Sequence, residues 1–118
     1  MAKATAPAVE VSDVAAIMTE AFAAAAEASA AMLARMGGED RGACGFGWVD
    51  IYGVKLSTRL GKEMEKHGAR KSYTGGLQVW DPGKWGGQNV DVKEAGATAF
   101  AKVLSKYGFT AYSSSRLD

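Results

Sequence analysis

The stretch Gly45-Phe46-Gly47-Trp48-Val49-Asp50-Ile51-Tyr52 constrains the fold more than any other part of the chain. Phe46, Trp48, Asp50 and Tyr52 alternate with Gly47, Val49 and Ile51. Successive side chains of a strand point to opposite sides, so a strand here turns a small apolar strip to one side and aromatics with a carboxylate to the other. The first side is made for packing, and the second is left available.

The segments around it carry helix and strand signals. Ser12 or Asp13 is placed to cap a long Ala-rich helix that runs to Met36, where Gly37 and Gly38 can adopt the left-handed conformation that stops it. Within that helix Ala15, Met18, Phe22, Ala25, Ser29, Met32 and Met36 recur at steps of three and four, the seam spacing of paired helices. Two partners fit such a seam: the chain's own sheet, or a second copy of the helix in a homo-oligomer. Both contacts can coexist, with Val14, Ile17 and Leu33 serving the other one. A second helix spans about Leu56 to His67, with Leu56, Leu60 and Met64 on one stripe and Gly68 as its stop. Asp91 and Glu94 have the spacing of a capping box for a third helix, whose stripe is Val92, Gly96, Ala99, Phe100, Val103 and Tyr107.

Arg70 to Asp81 reads as a strand split at Gly75-Gly76, where a bulge, another backbone or a ligand comes close. Phe109 to Ser113 reads as a further strand followed by a polar tail. The order of elements predicts an α+β fold of two layers, a small three- or four-stranded sheet with helices on one face, preceded by the long Ala-rich helix. Residues 1–11 then form a disordered arm, 12–37 the N-terminal helix for oligomerisation or docking, and 43–118 the α+β domain.

Length and composition narrow the function. A chain of 118 residues is one domain, and the single cysteine, Cys44, with the single histidine, His67, excludes an internal disulfide and a structural zinc site. No cofactor and no metal is required. A net charge of +1 argues against coating a nucleic-acid backbone, although Lys55, Arg59, Lys62, Lys66, Arg70 and Lys71 gather in one segment. Met1 to Ala8 carries a single lysine and no apolar core, and Glu20 and Glu27 interrupt the Ala-rich run, so the expectation is a soluble protein, with the cytoplasm as the default compartment for a chain of one cysteine.

With helices on one side only, the other side of the sheet would show Trp48, Tyr52, Gln78, Trp80 and Tyr112, a large aromatic surface to leave in water. Beside it, Arg70-Lys71-Ser72-Tyr73-Thr74-Gly75-Gly76 combines cations, hydroxyls and glycines that suit an anion, without the spacing of a phosphate loop. The loop after Asp81 adds Trp85, and the C-terminal segment adds Arg116. The candidate ligand-binding set is therefore Trp48, Arg70, Lys71, Ser72, Tyr73, Gly75, Gly76, Trp80, Trp85 and Arg116. Cys44, His67 and Asp50 have the residue types of a nucleophile, base and orienter, but nothing in their spacing activates them, so the expectation is not an enzyme.

Two resemblances add to this. Cys44 to Ile51 resembles the aromatic strand of RNA-recognition domains, without the basic residue at Cys44 or the final aromatic at Ile51, and without two strands before it. Separately, Gly42-Ala43-Cys44-Gly45-Phe46, Arg70-Lys71-Ser72-Tyr73, Gly75-Gly76, Lys93-Glu94-Ala95-Gly96 and Ser115-Arg116-Leu117-Asp118 together look like small accessory proteins of bacteriophages and prophages. That resemblance implies a protein acting in the bacterial cytoplasm, where such proteins often inhibit host defence by binding something. The expectation is a homo-oligomeric, non-enzymatic protein that binds a nucleotide-like anion, as a sponge for a cyclic-nucleotide immune signal would. The alternatives are an inhibitor that binds a host protein, or a single-stranded nucleic-acid binder using the aromatic sheet face.

Overall fold

The computed structural model describes residues 7–39, 42–72, 75–85 and 87–118. After a single 3-10 turn at Val11–Asp13, the elements are α1 (Val14–Arg35), β1 (Gly45–Tyr52), α2 (Arg59–Lys66), β2 (Arg70–Lys71), β3 (Leu77–Trp80), α3 (Val90–Lys106) and β4 (Thr110–Leu117). The fold is α+β, with one four-stranded antiparallel sheet in the order β2-β3-β1-β4. From β1 onward the chain interlocks two β-α-β units, the ferredoxin-like arrangement, and α1 is added in front of it.

β1 lies in the interior of the sheet, and its side chains divide between the two faces as the alternation predicts. Val49 and Ile51 are fully buried on the helix side, and Phe46, Trp48, Asp50 and Tyr52 are half-buried on the other. Gly47 serves that packing: a Cβ there would lie 2.8 Å from the Lys93 carbonyl oxygen, so the first turns of α3 rest directly on the strand.

The split strand is two strands. Ser72 donates its N–H to Gly76 O and accepts from Gly75 N, and the turn folds β2 back against β3. Gly76 is needed for contact with backbone rather than a ligand, since a Cβ there would stand 2.3 Å from Ile51 O. The final strand is longer than expected: Ser113, Ser114 and Ser115 continue β4 and pair with Val49, Trp48 and Gly47. Their side chains alternate, and Ser113 and Ser115 meet Thr98 and Glu94 on α3. Glu94 therefore does not close a capping box; the cap is Asn89, whose Oδ1 accepts from Val92 N at 3.1 Å.

The helical span Val11–Arg35 is long and apolar enough by composition to cross a membrane, with a mean hydropathy of 1.3 in an 18-residue window. Val14, Ile17 and Met18 are buried in the core instead and Phe22 packs against it, while Met32 and Leu33 stay half-buried outside it. Met18, Ala25 and Ser29 of the expected seam are buried, and so are Val14 and Ile17, which had been assigned to a second contact. The Phe22 ring meets Phe100 edge to face at 4.9 Å between centroids. The middle of the seam is thus a contact of α1 with the chain's own core, whereas Ala15 is exposed and Met32 and Met36 are half-buried; the outer face carries Ala16, Thr19, Ala23, Ala26, Glu27, Ala30 and Ala34. Of the arm expected over residues 1–11, residues 1–6 lie outside the described residues, and Val9 packs against the core.

Two contacts lock α1 to α3. At one end Glu20 accepts from both Lys106 Nζ and the Tyr107 hydroxyl, which holds its carboxyl below the usual range. At the other, buried Ser29 donates to Val92 O at 2.9 Å and sits between Gly83 and Gly96. A Cβ on Gly96 would come to 2.6 Å from Ser29 Oγ and 3.2 Å from the Gly83 backbone. Gly96→Ala, which in an ordinary helix would gain up to about 1 kcal/mol, is therefore expected to lower stability by roughly 1–3 kcal/mol through overpacking. Urea unfolding of the two proteins measures this, and a variant as stable as the parent would refute the close packing.

Candidate functional site

Residues directly opposite one another in paired strands share a face, so the register builds the uncovered side of the sheet. Trp48 stands opposite Trp80 and Ser114, Asp50 opposite Gln78 and Tyr112, Phe46 opposite Arg116, and Gln78 opposite Arg70. The two indoles stack, with centroids 5.0 Å apart and planes 28° apart. Phe46 meets Trp80 edge-on at 6.2 Å, and Tyr52 and Tyr112 lie side by side at 6.0 Å.

The polar groups of this face are arranged around Asp50. Its Oδ2 accepts from Trp48 Nε1 at 3.1 Å and its Oδ1 from Gln78 Nε2 at 3.1 Å, while Gln78 Oε1 accepts from Trp80 Nε1. Every partner is two positions away on the same strand or directly across, and the alternation of the strands is what brings them together. The network fixes both indoles against the sheet. Arg116 is held over the Phe46 ring at 5.4 Å, and Lys93 lies 5.6 Å from the same ring.

Trp48, Asp50, Tyr52, Ser72, Gln78, Trp80 and Arg116 line a shallow concavity of about 340 Å³. Trp80 is 38 % exposed and Tyr112 61 %, so the aromatic surface meets solvent. Of the residues expected to bind a ligand, Trp48, Ser72, Trp80 and Arg116 come together here. Arg70 shares the face from the β2 edge. Lys71 does not: it stands opposite buried Leu77 and so belongs to the helix side, in a different cleft with Gly75. Adjacent residues of a strand cannot hold one anion from the same side. Gly76 is buried against β1, Trp85 lies in the loop after β3 and does not line the concavity, and Tyr73 lies outside the described residues. Asp50, Tyr52 and Gln78, which the alternation puts on this face but which were not among the candidate binding residues, join the site.

Cys44 is exposed at the head of β1 and bridges to Asn89, His67 approaches Glu63 at 3.4 Å, and Asp50 is engaged by Trp48 and Gln78. Among the described residues no three His, Cys, Asp or Glu side chains are grouped to hold a metal.

Asp81 ends β3 in a left-handed conformation, φ 43°, with its N–H on Gly47 O. Its Oδ1 is buried without a hydrogen-bond partner among the described residues. Burial pushes the carboxyl up, against the opposing pull of Lys93 and the Trp85 N–H. No family model, curated protein or solved structure matches the chain.

The sign of the Asp81 shift fixes its effect on stability. Above the ordinary value of 3.8 the unfolded carboxyl ionises more readily than the folded one, so the side chain weakens folding at neutral pH and ceases to do so in acid. Asp81→Asn keeps a residue tolerant of the left-handed backbone and removes the charge. Its melting temperature is expected to exceed the parent's at pH 7, the gap closing as the pH falls toward 3.8. An equal or lower value at pH 7 would count against the buried charge.

Proposed function

We propose that the protein is a non-enzymatic binder of nucleotide-bearing ligands, with bases stacking at the Trp48–Trp80 pair and phosphates reaching the arginines at the two edges of the open face. The observation that carries this reading is the pair itself: two indoles fixed by the Asp50–Gln78 network in the middle of an unroofed sheet. Flat aromatic side chains on an open four-stranded sheet stack bases without needing a deep pocket, as in RNA-recognition domains. Asp50 disfavours a phosphate at the centre and favours one at the rim.

The extent of the face favours a short single strand over a compact nucleotide. Arg70 and Arg116 are on β2 and β4, three strand spacings apart and offset by four residues along the sheet. At about 4.8 Å per spacing and 3.4 Å per residue their backbones are separated by roughly 20 Å. A ligand that stacks at the centre and reaches both edges is an extended one. The concavity, about 340 Å³, also lies at the small end for enclosing a whole ligand. Taken with the resemblance to phage accessory proteins, the setting is the bacterial cytoplasm during infection.

Titration of oligothymidylate while following tryptophan fluorescence tests the proposal, with cyclic dinucleotides as the compact alternative. Stacking is expected to quench the emission. Trp80→Ala is expected to weaken binding by roughly 1–3 kcal/mol without loss of the folded state. Two phosphate contacts at the rim give a salt slope near −1.4, far shallower than that of a protein that coats the backbone. Absence of quenching at millimolar oligonucleotide would sink the strand reading, and tighter binding of a cyclic dinucleotide would put the compact messenger in its place.

A further inference from the structure

Of the cation-rich segment from Lys55 to Lys71, Arg70 is on the open face and Lys55, Lys62 and Lys71 are not. Lys55 and Ser57 precede α2, Lys62 and Glu65 project from it, and Lys71 lies on β2 on the helix side of the sheet. With Leu56 and Gly75 these residues line one cleft of about 620 Å³. All three lysines are exposed. The ion pairs of this region join Lys66 and His67 to Glu63, and among the described residues none involves Lys55, Lys62 or Lys71. Glu65 is the carboxylate of the lining, which leaves an excess of positive charge in the cleft.

Both walls are fixed. Thr58 Oγ1 donates to Lys55 O at 2.6 Å and accepts from Gly61 N at 3.0 Å, so the cap of α2 also holds the backbone of Lys55. Gly61 permits this, since a Cβ there would lie 2.1 Å from Lys55 O. Fully buried Met64 anchors α2 to the core. On the other wall the Ser72 N–H donates to Gly76 O and the Gly75 N–H to Ser72 O, next to Lys71. A cleft with an excess of one sign of charge focuses its field into the space between its walls and concentrates counter-ions there.

We propose that this cleft is an anion site, separate from the aromatic face, in which Lys55, Lys62 and Lys71 hold phosphate groups carried in series. Lysine acts on phosphate as a point charge with three donors, and three lysines around a space this wide suit several neighbouring phosphates better than one. The Ser57 hydroxyl adds a neutral donor. Two sources share this chemistry: the phosphodiester backbone of a strand and a free polyphosphate chain. β2 gives the first a route, because Arg70 and Lys71 place a cation on each side of the same sheet edge. The site itself does not depend on base stacking.

The test is calorimetric titration at low salt with inorganic tripolyphosphate and, separately, with oligothymidylate. The proteins compared are the parent, the combined Lys55→Gln, Lys62→Gln and Lys71→Gln variant, its arginine counterpart, and Trp80→Ala. A control carrying Arg35→Gln, Lys84→Gln and Lys102→Gln removes the same charge away from the cleft. At roughly threefold per exposed cation, the glutamine variant is expected to bind tripolyphosphate about thirtyfold more weakly than the parent. The arginine variant, the control and Trp80→Ala are expected to bind it as the parent does. If the strand is the source, the three lysines steepen the parent's salt slope with the oligonucleotide from the roughly −1.4 of the rim alone to about −3.5, and the glutamine variant returns it to about −1.4. Tripolyphosphate binding with no oligonucleotide binding would support the cleft and assign it to polyphosphate, while removing the stacking reading. A glutamine variant that binds tripolyphosphate as the parent does, an equal loss in the control, or a parent that binds neither anion would overturn the site.

Discussion

Ser29 is the point at which the helix layer is fixed. Its hydroxyl reaches Val92 O, and its position between Gly83 and Gly96 brings α1, α3 and the loop after β3 within contact of one another. Any larger side chain at the two glycines would push these segments apart. Because α1 and α3 are held together on one side, the buried faces of β1, β3 and the start of β4 have a lid, and among the described residues no helix covers the opposite faces. The aromatic surface is thus the direct result of a small-residue junction on the far side of the sheet.

Much of this was legible in the sequence, and the parts that were not have physical reasons. The alternation in Gly45–Tyr52 was sufficient to place a strand and to say which residues face away from the core, because a period of two leaves no other arrangement. The two-layer α+β architecture followed from the order of elements. The seam of α1 was visible too, but spacing alone does not say what a seam packs against. Only the structure shows Met18, Ala25 and Ser29 turned into the chain's own core. The cap of α3 was misplaced because Asp91 and Glu94 have the right separation, whereas Asn89 is held in position by the Cys44 bridge and so reaches Val92 N first. The serine run at 113–115 looked like a tail because serine favours loops. Its pairing with β1 and its hydroxyl contacts to α3 outweigh that preference.

The site shows the same division. Trp48 and Trp80 could be named from their strands, but their stacking depends on a register that no local string encodes. Asp50 lay within the most informative stretch of the chain and still could not be given a role until Gln78 was placed opposite it. Arg70 and Lys71 illustrate the opposite error. As neighbours in sequence they suggest one binding group, yet a strand separates neighbours by the thickness of the sheet, and each becomes part of a different surface.

The pairing of β1 also determines how the chain must fold. Both of its partners, β3 and β4, come later in sequence, and the farther pair joins Gly45 to Leu117 and Tyr52 to Thr110. The helix contact that covers it likewise joins distant segments, α1 with α3. Little of the core can form from local hairpins or single helices, so chain entropy must be lost before the central strand gains a neighbour. Such non-local pairing places the domain among slower folders than helical bundles of its size. In the interval the apolar, β-branched side of β1 lies unpaired, and that is when the chain is most exposed to association with other chains.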